Sequence, residues 1–259
     1  MENVGKSPKK LAFVTGATSG IGEATAIRFA LEGYNLIIAA RREDRLIKLR
    51  SELEKKGAEV LIITMDVRKN EEVKSKLSGL SDNWKNIDVL VNNAGLASGL
   101  STIDEGNTED WDVMIDTNVK GLLYVSRAVI PFMVRRKKGH IINIGSIAGK
   151  ETYLKGNVYC ATKHAVDSLT KGMRIDLLPH HIKVTGIHPG AVETEFSLVR
   201  YKGDVEKAQA VYKGFQPLNA GDVADAIFYA ASRPAHVTIN DMIVMPTAQA
   251  NPVHLLKEL

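Results

Sequence analysis

Tyr159 and Lys163 stand four residues apart in a stretch of helical periodicity, Asn157–Leu178, so their side chains share one face. A free phenol titrates near ~10 and is a poor base at neutral pH. An ammonium one turn away stabilises the phenolate and lowers that value. Such a pair is suited to removing a proton from a hydroxyl, or returning one to a carbonyl. Tyr-x-x-x-Lys arises readily by chance, so its partners carry the weight. Ser146 lies thirteen residues upstream, just past the apolar run ending at Ile144, where its hydroxyl can orient a substrate oxygen. Asn118, a poor helix former within a helical stretch, either holds a water toward Lys163 or is a satisfied core amide. Cys160 adjoins Tyr159 but points about 100° round the helix, and reads as a packing residue.

A second constellation concerns phosphate. Thr15–Gly22 reads TGATSGIG, with glycines at 16, 20 and 22 and Thr18, Ser19 and Ile21 between them. Glycines allow a tight turn and close approach to a pyrophosphate, and a following helix aims free N–H groups and its positive dipole end at the phosphates. The spacing alone is weak; its setting between an apolar run at Leu11–Thr15 and a helical pattern at Gly22–Gly33 strengthens it. The next apolar run, Leu36–Ala40, ends in Arg41 and Arg42 rather than an acid. NAD-binding sites usually place a carboxylate there for the ribose 2′-hydroxyl, whereas guanidinium groups match a 2′-phosphate. NADP is therefore expected over NAD, the alternative being that both arginines merely open a solvated helix. The positive ring of an oxidised nicotinamide would act on Tyr159 in the same sense as Lys163, and Lys163 could also hold the adjoining ribose. Asn93, Ala94 and Gly95 follow the run Asp88–Val91, where a backbone turn can pass beside a cofactor.

These residues need elements to position them. Strands are predicted at Leu11–Thr15, Leu36–Ala40, Glu59–Met65, Asp88–Val91, His140–Ile144, Ile182–His188 and Thr238–Met245. Helices are predicted at Gly22–Gly33, Glu43–Lys56, Glu71–Leu80, Trp111–Met133, Asn157–Leu178 and Val223–Ala231. The apolar runs are continuous, as in strands covered on both faces. The alternation predicts one α/β domain over residues 1–259: a doubly wound Rossmann fold whose central parallel sheet has helices on both faces. Residues 191–219 are irregular and either cover the substrate or form a surface insertion. Residues 1–9 are polar, Lys-rich and expected to be flexible.

Composition excludes several classes. Hydrophobic residues are 44% and charged residues 25%, ordinary for a globular chain, and the net charge of +4 is scattered rather than striped, which argues against nucleic acid. One cysteine excludes an internal disulfide or cysteine-built zinc centre, and no metal is expected. No secretory leader is recognisable and no apolar run nears the ~18 residues of a membrane span, so a soluble cytoplasmic protein with a small-molecule substrate is expected.

TGATSGIG, NNAG at 92–95, Asn118, Ser146, the Tyr159/Lys163 pair and Pro189-Gly190 resemble, in order, the short-chain dehydrogenase/reductase family over residues 10–250. The resemblance implies a catalytic tetrad of Asn118, Ser146, Tyr159 and Lys163. It implies a cofactor lining that includes Gly16, Ser19, Ile21, Arg41, Asp66, Val67 and Asn93, with Pro189, Gly190, Val192 and Thr194 closing over the nicotinamide. Ser19 stands where many NADP-using members carry a basic residue. A homotetramer, or a dimer, built through the long helices is implied as well.

GSIAG at 145–149, GNVYCATK at 156–163, PGAVETEFSLVRYKG at 189–203 and Ile243–Thr247 are similar to the NADP-dependent 3-hydroxy acid dehydrogenases, which include serine and L-allo-threonine dehydrogenases. That implies oxidation of the 3-hydroxyl of small acids such as L-serine, L-allo-threonine or 3-hydroxypropionate, or reduction of the corresponding carbonyl. The alternatives are a 3-ketoacyl thioester reductase, a broad carbonyl reductase, or a non-catalytic dinucleotide sensor. Arg200, alone or with Lys202, would anchor a substrate carboxylate; otherwise these cations answer Glu193 and Glu195 on the surface.

Overall fold

The computed structural model describes residues 9–258, so all of the expected flexible N-terminal stretch but Lys9 lies outside the described residues. Seven strands form one parallel sheet in the order β3-β2-β1-β4-β5-β6-β7. They are β1 (Leu11–Thr15), β2 (Asn35–Ala40), β3 (Val60–Thr64), β4 (Val89–Asn92), β5 (Gly139–Ile144), β6 (Ile182–Pro189) and β7 (Asp241–Val244). The order reverses between β1 and β4, opening a crevice at their carboxyl ends, the place where doubly wound sheets bind ligands.

Side chains alternate across the sheet. Ala12, Val14, Leu36 and Ile38 point to one face, under α1 (Gly20–Leu31), α2 (Glu43–Lys55) and α10 (Ala220–Ala231). Phe13, Ile37 and Leu90 point to the other, under α3 (Asn70–Ser78) and α6 (Leu122–Arg136). Both layers are apolar, which is why the strand runs in the sequence are unbroken. Phe29 of α1 meets Phe228 of α10 edge to face at 5.5 Å, fixing these helices to each other. A short helix, α4 (Asp82–Lys85), precedes β4.

The single helix expected at Trp111–Met133 is two helices. α5 (Thr108–Ile115) and α6 are joined by a π-helical segment, Asp116–Gly121, that keeps the run continuous but widens the turn around Asn118. Periodicity alone does not reveal such a bulge, and bulges of this kind collect at functional sites. The helix α7 (Asn157–Asp176) ends before a 3₁₀ turn containing Pro179, and β7 is shorter than expected at both ends. Within 191–219 lie two short helices, α8 (Glu195–Arg200) and α9 (Val205–Ala210), capped by Thr194 and Asp204. Among the described residues no helix is long and apolar enough to cross a membrane.

Candidate active site

The turn between β1 and α1 needs its glycines. Gly16 and Gly20 have φ of +64° and +55°, a region that side chains rarely adopt. A Cβ on buried Gly22 would overlap the Gly16 carbonyl and the Asn93 amide, so this glycine serves close packing beneath the turn. The end of β4 is stitched to that turn. Asn93 Nδ2 donates to the carbonyls of Thr15 at 2.9 Å and Gly16 at 3.1 Å, and Thr15 Oγ1 accepts from the backbone of Asn93 and Ala94 at 3.1 Å.

At the end of β2, Arg42 binds the turn rather than standing free in solvent. Its Nη2 donates to Thr18 Oγ1 and Ser19 Oγ at 3.0 Å, and its Nη1 to Glu195 at 3.1 Å. Arg45 also donates to Glu195, at 2.7 Å, and these two guanidinium groups hold that carboxyl below its usual range. Burial pushes the Asp66 carboxyl, after β3, upward, but hydrogen bonds from Arg68 together with the charges of Arg68 and Arg41 overcome this and hold it below its usual range.

Of the four residues expected to form a tetrad, Ser146, Tyr159 and Lys163 line the cleft on the other side of the switch point, and Asn118 stands behind Leu96. Asn118 in the π segment exchanges hydrogen bonds with the Leu96 backbone at 2.8 Å and donates to Thr162 Oγ1 at 3.0 Å. Both amide N–H bonds are thus used, and the side chain clasps the loop after β4 to α7. Ser146 caps the turn Ile147–Gly149, its Oγ accepting from Ala148 N at 3.1 Å. Lys163 Nζ donates to the Ile144 carbonyl at 2.9 Å and lies 6.0 Å from the centre of the Tyr159 ring.

The electrostatics depart from the sequence argument. Burial, with the Tyr153 phenol adding to it, pushes Tyr159 above the usual phenol range; a hydrogen bond with Ser146 and the Arg200 guanidinium oppose the rise. Burial pushes Lys163 down to about 8. Desolvation therefore prevails over the expected effect of Lys163 on Tyr159, and the cation that opposes it is Arg200.

One cleft of about 320 Å³ collects nearly every residue the sequence singled out. The turn residues Gly16, Thr18, Ser19, Gly20 and Ile21 form one wall, with Arg41, Arg42, Asp66 and Val67 beside them. Asn93, Ala94, Gly95, Ser146, Tyr159 and Lys163 form the floor, and Pro189, Gly190, Val192 and Thr194 the far side. Three residues stand elsewhere: Gly22 below the turn, Asn118 behind Leu96, and Arg200 on a neighbouring cavity of about 20 Å³ that it shares with Tyr159. Lys202 is no partner for Arg200, because it pairs with Asp110 at 2.9 Å. Glu195, Phe196 and Val199 of α8 also line the large cleft, and the sequence reading missed them because nothing in their spacing marks them. Outside the cleft, Asp167, His188 and Asp241 converge within 4.8 Å, but Lys150, Lys171 and Arg174 pair with the two carboxylates.

Comparison with known proteins agrees with this geometry. The family profile described as short chain dehydrogenase matches residues 10–204. The NADP-dependent 3-hydroxy acid dehydrogenase of Salmonella typhi is 47% identical over 241 residues, covering 93% of this chain and 96% of the relative. Sulfoacetaldehyde reductase 2 of Chromohalobacter salexigens is 44% identical, covering 93% and 95%. Among solved structures, the closed form of a serine dehydrogenase complexed with NADP⁺ superposes with a TM-score of 0.90 at 44% identity, covering 96% of this chain and 100% of that one. With a cleft at the switch point, a glycine turn, and a tyrosine and lysine on its floor, the chain belongs to the short-chain dehydrogenase family.

Proposed function

We propose that the protein is an NADP-dependent oxidoreductase that interconverts the 3-hydroxyl of a small 3-hydroxy acid and the corresponding carbonyl. The observation that carries this reading is the single cleft in which the arginine-terminated end of β2, the glycine turn and the Ser146/Tyr159/Lys163 group face one another.

The donor set fits a phosphorylated dinucleotide. The α1 N-terminus suits a pyrophosphate, and Arg41, Arg42, Thr18 and Ser19 suit a 2′-phosphate. Asn93, Ala94 and Gly95 would flank the dinucleotide, and Pro189, Gly190, Val192 and Thr194 would cover its far end. Such a cofactor supplies hydride acceptance or donation when bound. Tyr159 Oη takes the substrate hydroxyl proton in oxidation and returns it in reduction. Ser146 holds the same oxygen and orients it. Lys163 contributes positive charge to the phenolate, and Asn118 fixes the loop over which these groups meet.

The three relatives named above act on a 3-hydroxy acid, a sulfoacetaldehyde and serine. In each, the acid group sits one carbon beyond the carbon that reacts. Arg200 suits such a group: its guanidinium is beside the Tyr159 ring and its buried Nε has no partner among the described residues. We further read the protein as a cytoplasmic homotetramer. A lone buried thiol, Cys160, suits a reducing compartment, and exposed Ile115 and Leu123 on the consecutive helices α5 and α6 suit an interface. Light scattering on the purified protein tests the subunit number.

The activity is tested with L-serine, L-allo-threonine, 3-hydroxypropionate and an acetoacetyl thioester, with NADP(H) and NAD(H), following reduced-nicotinamide absorbance. Turnover of the hydroxy acids with NADP⁺ is expected, and a preference for the thioester would replace this reading. Tyr159→Phe should bind NADP⁺ normally and lose turnover by roughly a hundredfold or more.

A further inference from the structure

Arg200 ends α8 with its guanidinium between two phenol rings. The guanidinium carbon is 5.5 Å from the centre of the Tyr153 ring and 5.6 Å from that of Tyr159. Its Nη1 donates to the Tyr153 hydroxyl at 2.9 Å. Phe196, one turn earlier on α8, packs its ring against Tyr159 at 5.6 Å, so this helix lies directly on the catalytic phenol. Lys163 is no closer to the ring, at 6.0 Å, and directs an N–H to the Ile144 carbonyl.

The charged and titratable groups facing Tyr159 come from every side of its pocket. Ser146 follows β5, Tyr153 precedes α7, Cys160 and Lys163 belong to α7, and Arg200 comes from α8. Asp110 of α5 lines the same small cavity as Tyr159 and Arg200, but is held by Ser98 and Lys202. Lys155 borders that cavity with its side chain exposed. Arg200 is thus a cation laid against the ring beside Lys163, in a pocket where burial makes charge interactions strong. A guanidinium there favours the anionic phenol by direct attraction.

We propose that Arg200 is a second cationic partner of Tyr159, beside Lys163, that stabilises its proton-accepting form, and that Tyr153 positions it. This rests on the reading of Tyr159 as the general base, and is distinct from the role of Arg200 as an acid anchor. A bound carboxylate would screen the guanidinium, so a neutral substrate isolates the effect.

The test is the pH dependence of kcat/KM for 3-hydroxypropionamide with saturating NADP⁺, in the wild type, Arg200→Gln, Arg200→Lys and Tyr153→Phe. Arg200→Gln should move the alkaline midpoint up by roughly one pH unit, the size expected of an opposite charge at this range. Arg200→Lys should restore most of the shift, and Tyr153→Phe should give a smaller one. A midpoint unmoved by Arg200→Gln overturns the proposal, even if kcat/KM for 3-hydroxypropionate falls, since that fall belongs to the anchor alone. Tyrosinate absorbance of the NADP⁺ complex, measured as the difference from Tyr159→Phe with and without Arg200→Gln, decides the point without turnover: an unshifted titration also overturns it. Full turnover by Tyr159→Phe would instead remove the base itself, a separate failure.

Discussion

The carboxylate of Glu195, first residue of α8, accepts a hydrogen bond from Arg42 at 3.1 Å, and this contact joins α8 to the end of β2. Arg42 thereby serves two groups at once, since it also holds the hydroxyls of Thr18 and Ser19 in the glycine turn. A dianionic 2′-phosphate held at that turn, as proposed, would meet a guanidinium already facing a carboxylate.

Glu195→Gln should therefore tighten NADP⁺ binding and leave NAD⁺ nearly unchanged. The side chains of the pair are 41% and 42% exposed, so the interaction is a weak surface one. Its worth of ~0.2–1 kcal/mol converts to roughly a 1.4- to fivefold fall in the NADP⁺ dissociation constant. Calorimetric titration of both cofactors reads the difference. A rise in the NADP⁺ constant would mean that Glu195 orders Arg42 for the phosphate instead of competing for it.

Arg42→Ala removes the guanidinium itself. Hydrogen bonds to charged groups contribute ~1.5–3 kcal/mol, so the NADP⁺ dissociation constant should rise by roughly ten- to a hundredfold. The NAD⁺ constant should rise far less, through the loosened Thr18 and Ser19 alone. Arg42→Lys should recover only part of the loss, because an ammonium cannot make the forked contact. Equal weakening of both cofactors would place the 2′-phosphate elsewhere, with Arg41 the next residue to replace.

Much of this was legible in the sequence, for physical reasons that differ by residue. The strands β1, β2 and β4 were readable because both faces of the sheet are covered, so their runs are unbroken. Gly16 was readable because a tight turn demands a backbone without a side chain, and Arg41, Ser146 and Tyr159 because each has a side-chain chemistry tied to a local context of strand, turn or helix. The π segment was not, since one widened turn leaves the apolar spacing of a helix intact. Glu195 and Tyr153 were not, since their importance arises from contacts with Arg42 and Arg200, 153 and 47 residues away in the chain. The balance of desolvation against charge at Tyr159 also needs coordinates, because residue spacing says nothing about burial.

Gly22→Ala tests the closeness of the turn to β4. The added methyl would run into the Gly16 carbonyl and the Asn93 amide, neither of which can move without breaking the bond that joins turn and strand. Overpacking of this kind costs about 1–3 kcal/mol, and the displaced turn should also lose cofactor affinity. Thermal unfolding should show a lower midpoint, with less stabilisation by added NADP⁺ than in the wild type. An unchanged midpoint with normal NADP⁺ binding would mean that Gly22 is there for reasons other than contact.

Lys163 predicts a stability cost that serves the chemistry. Its buried amine has a folded-state pKa of about 8 against 10.5 when free. Below about pH 8 both folded and unfolded chains carry the proton, and the folded chain bears the whole penalty of a buried ammonium, about 3 kcal/mol at ~1.4 kcal/mol per pH unit. Between the two values only the unfolded chain holds the proton, so unfolding takes one up and stability rises with pH. Lys163→Met removes the penalty and also the hydrogen bond to Ile144, worth about 1 kcal/mol. The cofactor-free variant should therefore be more stable than the wild type at pH 7 by about 2 kcal/mol, and lose that lead as pH climbs past 8 toward 10.5. Urea unfolding at pH 7 and pH 10 measures it, and the difference between the two proteins cancels the titrations they share. A variant less stable than the wild type at pH 7 would show that the ammonium is better solvated than its burial implies.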